Sequence, residues 1–246
     1  MAMADAVTLT AEVTRALAVV AHPDDVDFGA GGTVATWTAA GIEVAYCVCT
    51  SGEAGGVDDI SRPEMAALRE AEQRAAAKEL GVRNVAFLGY PDGRVTPSIE
   101  LRRDITREIR RFRPQRILAP SPEIWWPRIG ASHPDHRAVG EATLAAIYPD
   151  ARNPFAHPGL LNEEGLEAWT VTELWLMAAP EERHNHVVDI TSTIEHKIAA
   201  MRAHRSQTAH LNGLDERIRA GTAGLARRHG LPDGHCAEAF QIVEMG

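Results

Sequence analysis

Ala16 to Ala21 is an unbroken run of small apolar residues, Ala-Leu-Ala-Val-Val-Ala. A strand with one wet face alternates apolar and polar residues. A run that does not alternate is covered on both faces, as the inner strands of a parallel sheet are. Parallel neighbours cannot be joined by a tight turn, so helical crossovers must follow. The sequence supplies them. Gly29 to Ala40 reads as a helix stopped at Gly41, and Glu43 to Thr50 as a strand. Pro63 to Leu80 reads as a helix with proline in its first turn and Gly81 past its end. Asn84 to Leu88 is a third strand, Ile99 to Phe112 a helix and Arg116 to Ala119 a fourth strand. Arg137 to Tyr148 and Ile194 to His204 read as helices, and Thr172 to Ala178 and His186 to Ile190 as strands. The expected fold is α/β and Rossmann-like: a mostly parallel sheet with helices on both faces, built from right-handed βαβ units. A length of 246 residues suits one domain, 1–246, with a core over about 16–210. Pro149 to Gly165 reads as an irregular cover. Leu211 to Gly246, dotted with glycine and poorly periodic, reads as a C-terminal extension.

Charge narrows the partners. The formal net charge is -9 and no long basic run is present, which argues against nucleic acid and against an anionic membrane. The N-terminal apolar run is too short for a signal-peptide core or a membrane span. Cys47 and Cys49 lie two apart on one expected strand, poorly placed to bridge each other, and Cys236 is the only other cysteine. The three read as reduced thiols of a cytoplasmic protein. A homo-oligomer is compatible with the sequence.

Two stretches carry chemistry. His22-Pro23-Asp24-Asp25 follows the first strand directly, and His133-Pro134-Asp135-His136 follows the long loop after the fourth. Ligands of open α/β sheets collect beyond the carboxyl ends of strands, so both stretches belong at one edge. A catalytic zinc takes three protein ligands and keeps one position open. His22, Asp25 and one histidine of the second stretch make such a set. Asp24 is then left to accept a proton from water, the remaining histidine to stabilise an oxyanion or protonate a leaving amine, and Asp135 to orient an imidazole. Two imidazoles and a carboxylate also suit iron(II) or cobalt.

Plainer readings stand beside these. Asp24 and Asp25 suit a helix cap, as does Asp135. Asp92, in Pro91-Asp92-Gly93, is a common turn residue. Arg69 could face solvent or pair with Glu70 or Glu72. Trp125 and Trp126 suit either sugar stacking or a core. The run Gly29-Ala30-Gly31-Gly32 has the wrong spacing for a dinucleotide fingerprint and reads as a place of close packing. A non-catalytic α/β ligand-binding protein with a structural metal is a further reading, although structural zinc is closed by four protein ligands and Asp24 would have no task.

Taken together, Ala21 to Asp25 and His133 to His136 resemble the two signature segments of the LmbE-like, or PIG-L, zinc de-N-acetylases. Smaller matches are Thr50 to Gly55, Arg69 with Glu72, Phe87 to Gly93 and His204 to Gln207. The resemblance implies a zinc-dependent hydrolase that takes the acetyl group from an N-acetylglucosamine-type amino sugar or its conjugate. It implies His22, Asp25 and His136 as zinc ligands and Asp24 as general base. His133 would act on the oxyanion or as acid, with Asp135 behind the ligands and Arg69 and Asp92 on sugar hydroxyls. A zinc amidase of amino-sugar thiol conjugates is the variant within the same class. One position departs from the pattern: the family often has Glu after the aspartate pair, where this chain has Val26 and then Asp27.

Overall fold

The computed structural model describes residues 13–56 and 60–245. Residues 1–12, residues 57–59 between Ser51 and Arg62, and Gly246 lie outside them. The elements run β1 (Arg15–Val20), α1 (Asp25–Ala39), β2 (Glu43–Thr50), α2 (Arg62–Glu79), β3 (Asn84–Tyr90), α3 (Ile99–Phe112), β4 (Arg116–Pro120) and α4 (Pro134–Ala145). After them come α5 (Pro158–Asn162), β5 (Glu173–Met177), β6 (His186–Asp189), α6 (Ile194–Ala203), α7 (Arg205–Thr208), α8 (Leu214–Arg228) and β7 (Ala237–Glu244). The sheet order is β3-β2-β1-β4-β5-β7-β6. Every pairing is parallel except those of β7, which runs antiparallel to β5 and β6. The mostly parallel α/β fold expected from the apolar run is the fold observed.

β1 explains why that run is uniformly apolar. Leu17 and Val19 point into a core with Ile105, Ile109 and Val139, under α3 and α4. Ala16, Ala18 and Val20 point into the opposite core with Trp37, Leu80, Trp175 and Phe240. The glycine run in α1 serves the packing expected of it. A Cβ on Gly29 would come within 2.6 Å of the Met177 sulfur at the end of β5, and one on Gly32 within 2.6 Å of Ile190.

Three differences from the sequence expectation matter for the site. Helices α1 and α4 begin at Asp25 and Pro134, several residues earlier than expected, so Asp25 and His136 sit in first helical turns. The segment after α4 is no loose cover. Buried Arg110 donates to the carbonyls of Asp150, Ala151, Asn153 and Ala156, and Arg102 forks onto Asp150 at 2.8 and 3.1 Å. The stretch after Leu211 is no extension either, because β7 lies inside the sheet. Its pattern was disguised by Glu238, a buried carboxylate that pairs with buried Lys197 at 2.7 Å and accepts the Gly32 and Thr33 N–H groups. No helix among the described residues is long and apolar enough to cross a membrane.

After β3 the chain returns past β2 and β1 to place β4 on the far side of β1. The order of strands therefore reverses between β1 and β4, and a crevice opens beyond their carboxyl ends. His22 follows β1 and His133 follows the β4 loop, so both motifs reach this crevice.

Candidate metal centre

The first motif turns on one residue. Asp24 has φ 87° and ψ -24°, the left-handed region, which costs an L-residue about 1–2 kcal/mol and which Asp tolerates better than most. Such a conformation persists when its surroundings over-determine it. Here the Asp24 N–H donates to Gln73 Oε1 at 2.7 Å, and Arg69 Nη2 donates to the Pro23 carbonyl at 2.8 Å. The turn sends adjacent carboxylates to different places. Asp25 Oδ2 accepts the N–H groups of Ala21 and His22 at 3.1 and 2.9 Å, which leaves Oδ1 3.0 Å from His136 Nε2. Asp24 Oδ2 instead lies 3.2 Å from Arg69 Nη2.

The imidazoles are oriented from behind. His136 Nδ1 is 3.1 Å from the Ala131 carbonyl. His22 Nε2 is 3.0 Å from Asp92 Oδ1 and 3.2 Å from Asp135 Oδ2. Those partners only accept hydrogen bonds, so those nitrogens carry the protons. The lone pairs then fall on His22 Nδ1 and His136 Nε2, which face each other at 3.2 Å. Two lone pairs at that distance repel unless a positive charge joins them. A tetrahedral ion with bonds of about 2.1 Å holds its ligand atoms about 3.4 Å apart, close to the spacing seen here. The residues present fit a divalent cation.

The electrostatics agree. Burial alone would lower the His22 pKa, but hydrogen bonds and charge from Asp25 and Asp92 outweigh it and push it up to about 11. His136 is also raised, with burial opposed by Asp25. Asp25 itself is held far below the usual carboxylate range, because His136 and His22 overcome the effect of its burial. The pocket favours positive charge. Asp24 differs from its neighbour: burial and the Asp25 charge raise its pKa to about 6, against the pull of Arg69 and His204.

His133 is a third imidazole within reach, its ligand atom lying within 4.8 Å of those of His22 and His136. Two features set it apart from Asp25 as a ligand. Its Nδ1 accepts the Asp135 N–H at 3.2 Å and caps α4, so Nε2 carries the proton and can only donate. Its pKa is lowered by burial and by the nearby charges of His22 and His136, which keeps the ring neutral.

Asp135 stands behind His22 and not behind its motif neighbour His133, and its oxygens also accept the N–H groups of Gly93 and Val95 at 2.8 and 3.2 Å. Arg69 and Asp92, expected on sugar hydroxyls, are both turned inward. Asp92 is 7% exposed, with one oxygen on His22 and the other on the Ala54 N–H at 2.9 Å. Arg69 is 5% exposed and spends its guanidinium on Gly52, Pro23 and Asp24. The physical reason is burial: each lies under the loop that it orders. Trp125 lies half-buried under Arg128, and Trp126 is exposed. Val26 packs fully into the core, and Asp27 binds buried His204 at 2.7 Å and Gln73 at 2.9 Å. Gln73, which joins Asp24 to that pair, is absent from the sequence expectation, since nothing in a helical glutamine marks its target.

Carboxylates that orient ligating histidines typically account for about 10–100-fold in metal affinity. Asp135→Asn removes the charge and one of the two oxygens that accept the Gly93 and Val95 N–H groups, so metal affinity should fall by at least about that factor in a competition titration against a chelator. Unchanged affinity would show that His22 needs no support from Asp135.

A family model described as GlcNAc-PI de-N-acetylase (PIG-L) matches residues 17–147. Diacetylchitobiose deacetylase of Thermococcus kodakarensis is 33% identical over 197 residues, covering 80% of this chain and 71% of that protein. A 1D-myo-inositol 2-acetamido-2-deoxy-alpha-D-glucopyranoside deacetylase of Saccharopolyspora erythraea is 31% identical, covering 81% of this chain and 79% of that protein. The solved structure of N,N'-diacetylchitobiose deacetylase from Pyrococcus horikoshii, in complex with an inhibitor, aligns with a TM-score of 0.84 at 30% identity. That alignment covers 95% of this chain and 85% of that one.

Proposed function

The chain belongs to the GlcNAc-PI de-N-acetylase (PIG-L) family of amide hydrolases, and on that premise we propose that it removes the N-acetyl group from an N-acetylglucosamine-type amino sugar or its conjugate, with zinc held by His22, Asp25 and His136. The observation that carries this reading is the division of labour at the left-handed turn, which aims Asp25 at the imidazoles and leaves Asp24 apart, beside Arg69, with a pKa raised to about 6. Zinc in that set supplies Lewis acidity and water of lowered pKa.

The chain's own residues do the rest. Asp24 accepts the proton of the attacking water as its oxygen bonds to the amide carbon. His133 Nε2–H donates to the carbonyl oxygen as negative charge builds there. The C–N bond breaks, the nitrogen takes the proton from Asp24, and acetate and a free amine leave. Arg69 and Gln73 act through Asp24, holding its turn and its charge. Asp92 and Asp135 act through His22.

The test is an acetate-release screen of N-acetylglucosamine-containing compounds with metal-reconstituted protein. Release from any of them supports the reading. Cleavage confined to amino-sugar thiol conjugates, with no acetate formed, replaces it with the amidase.

A pH profile follows from the Asp24 pKa. The working form is the carboxylate, so activity is lost as pH falls through that value. Free of metal the value is about 6, and a cation beside Asp25 draws it lower. The acid limb of kcat/KM should therefore be centred at or below about pH 6. A limb centred above 7 would contradict Asp24 as the base.

A further inference from the structure

Asp27 stands in the first turn of α1, and no step of the proposed reaction uses it. It is 0% exposed, as is its partner His204 at the junction of α6 and α7. As a device for stability the pair is a poor one. Burying two ionisable groups is costly, and a buried pair repays that only when its remaining polar atoms are bonded too. Here Asp27 Oδ1 and His204 Nδ1 have no partner among the described residues. Everything the pair offers converges on one oxygen. Asp27 Oδ2 accepts from His204 Nε2 at 2.7 Å and from Gln73 Nε2 at 2.9 Å.

The bond to Gln73 decides which way round that side chain sits. The two ends of a glutamine amide are alike in shape and opposite in hydrogen bonding: the oxygen accepts and the nitrogen donates. The Asp27 carboxylate accepts, so it takes the Nε2 end and turns Oε1 toward Asp24, whose N–H that oxygen accepts at 2.7 Å. With the amide reversed, Nε2 would meet the Asp24 N–H donor against donor. That clash would fall on a residue whose left-handed backbone has to be held from outside. Gln73 is buried, so the choice belongs to its protein partners.

We propose that Asp27, braced by His204, is a positioning residue for the general base: it fixes the orientation of Gln73, and through it the turn that aims the Asp24 carboxylate. This inference rests on the reading of Asp24 as the base of an amide hydrolase. Misplacing a reacting group by about 1 Å can cost about 10²-fold in rate, so the effect belongs in kcat and not in substrate binding.

The experiment compares Asp27→Leu with Asp27→Asn. Leucine keeps the branching of aspartate and offers no acceptor, whereas the asparagine oxygen can still accept from Gln73 and His204. The readouts are kcat and KM for N-acetylglucosamine, zinc content, and hydrogen exchange of the Asp24 amide in zinc-loaded protein followed by NMR. Asp27→Leu should lower kcat by about 10–10²-fold and leave KM and zinc content unchanged. Exchange of the Asp24 N–H should quicken by about tenfold, the worth of one hydrogen bond. Asp27→Asn should restore both. In an Asp24→Asn background Asp27→Leu should cost nothing further, because no base is left to aim. Gln73→Met keeps the length of the side chain and removes both of its bonds. It should behave as Asp27→Leu does, and it replaces that variant should the latter fail to fold.

Unchanged kcat in the folded variants overturns the proposal, as does an Asp24 N–H that exchanges no faster in them. So does a loss that adds in full to that of Asp24→Asn, or one accompanied by lost zinc, either of which would make Asp27 a brace for the whole site. Acetate release that the variants leave intact removes this inference and keeps the proposed function. If the unaltered protein releases no acetate from any amino sugar, the proposed function falls, and the Asp24 amide exchange alone decides whether Asp27 holds the turn.

Discussion

Asp24→Asn should keep a full complement of metal and lose turnover by about 10²–10⁴-fold, the range that general acid–base catalysis supplies. The substitution is a clean one. Asn is among the residues that best tolerate the left-handed region, so φ 87° is preserved, and its amide oxygen can still accept from Arg69. The Asp24 N–H keeps its bond to Gln73 whatever the side chain. Only the capacity to take a proton is removed. Because Asp25 and not Asp24 faces His136, metal content should match the unaltered protein. The check pairs elemental analysis with single-turnover kinetics. Metal lost together with activity would make Asp24 a ligand, and activity retained would end its role as base.

The second large effect is at the other motif. His136→Ala removes the imidazole whose lone pair faces His22, and the protein should lose tight metal binding while staying folded. His136 lies in the first turn of α4, partly exposed, so water can reach the Ala131 carbonyl and Asp25 Oδ1 that its loss leaves without a partner. The activity lost is the charge stabilisation due to the metal, several kcal/mol, or about 10²–10³-fold at the least. Replacing His22, Asp25 and His136 together by Ala should abolish metal content. Metal binding and activity retained in the triple variant would end this account of the centre. A chelator should reproduce the loss in the unaltered protein, with recovery on adding zinc, iron(II) or cobalt.

The sequence made some of this legible for a plain reason. A motif that joins a strand end to a helix start must put its side chains at one place, so His22, Asp25 and His136 could be expected to meet, and the structure brings them together. The apolar run of β1 likewise announced a strand covered on both faces. What stayed hidden depends on tertiary partners. Asp92 sits in a turn that looks like any other until His22 lies above it. Arg69 points inward because Gly52, at positive φ, leaves room for its guanidinium. Gln73 matters because of a backbone N–H 49 residues away in sequence. β7 escaped notice because a charged residue in a strand reads as surface unless its partner, Lys197, is known to be buried as well.

That last strand has a consequence for the order in which the molecule is made. Both halves of the metal centre have left the ribosome once residue 136 has emerged. β6 has no hydrogen-bonded neighbour until β7 arrives to separate it from β5, and α8, which precedes β7, is likewise late. Through that interval the nascent chain carries His22, Asp25 and His136 while the far edge of the sheet is still incomplete.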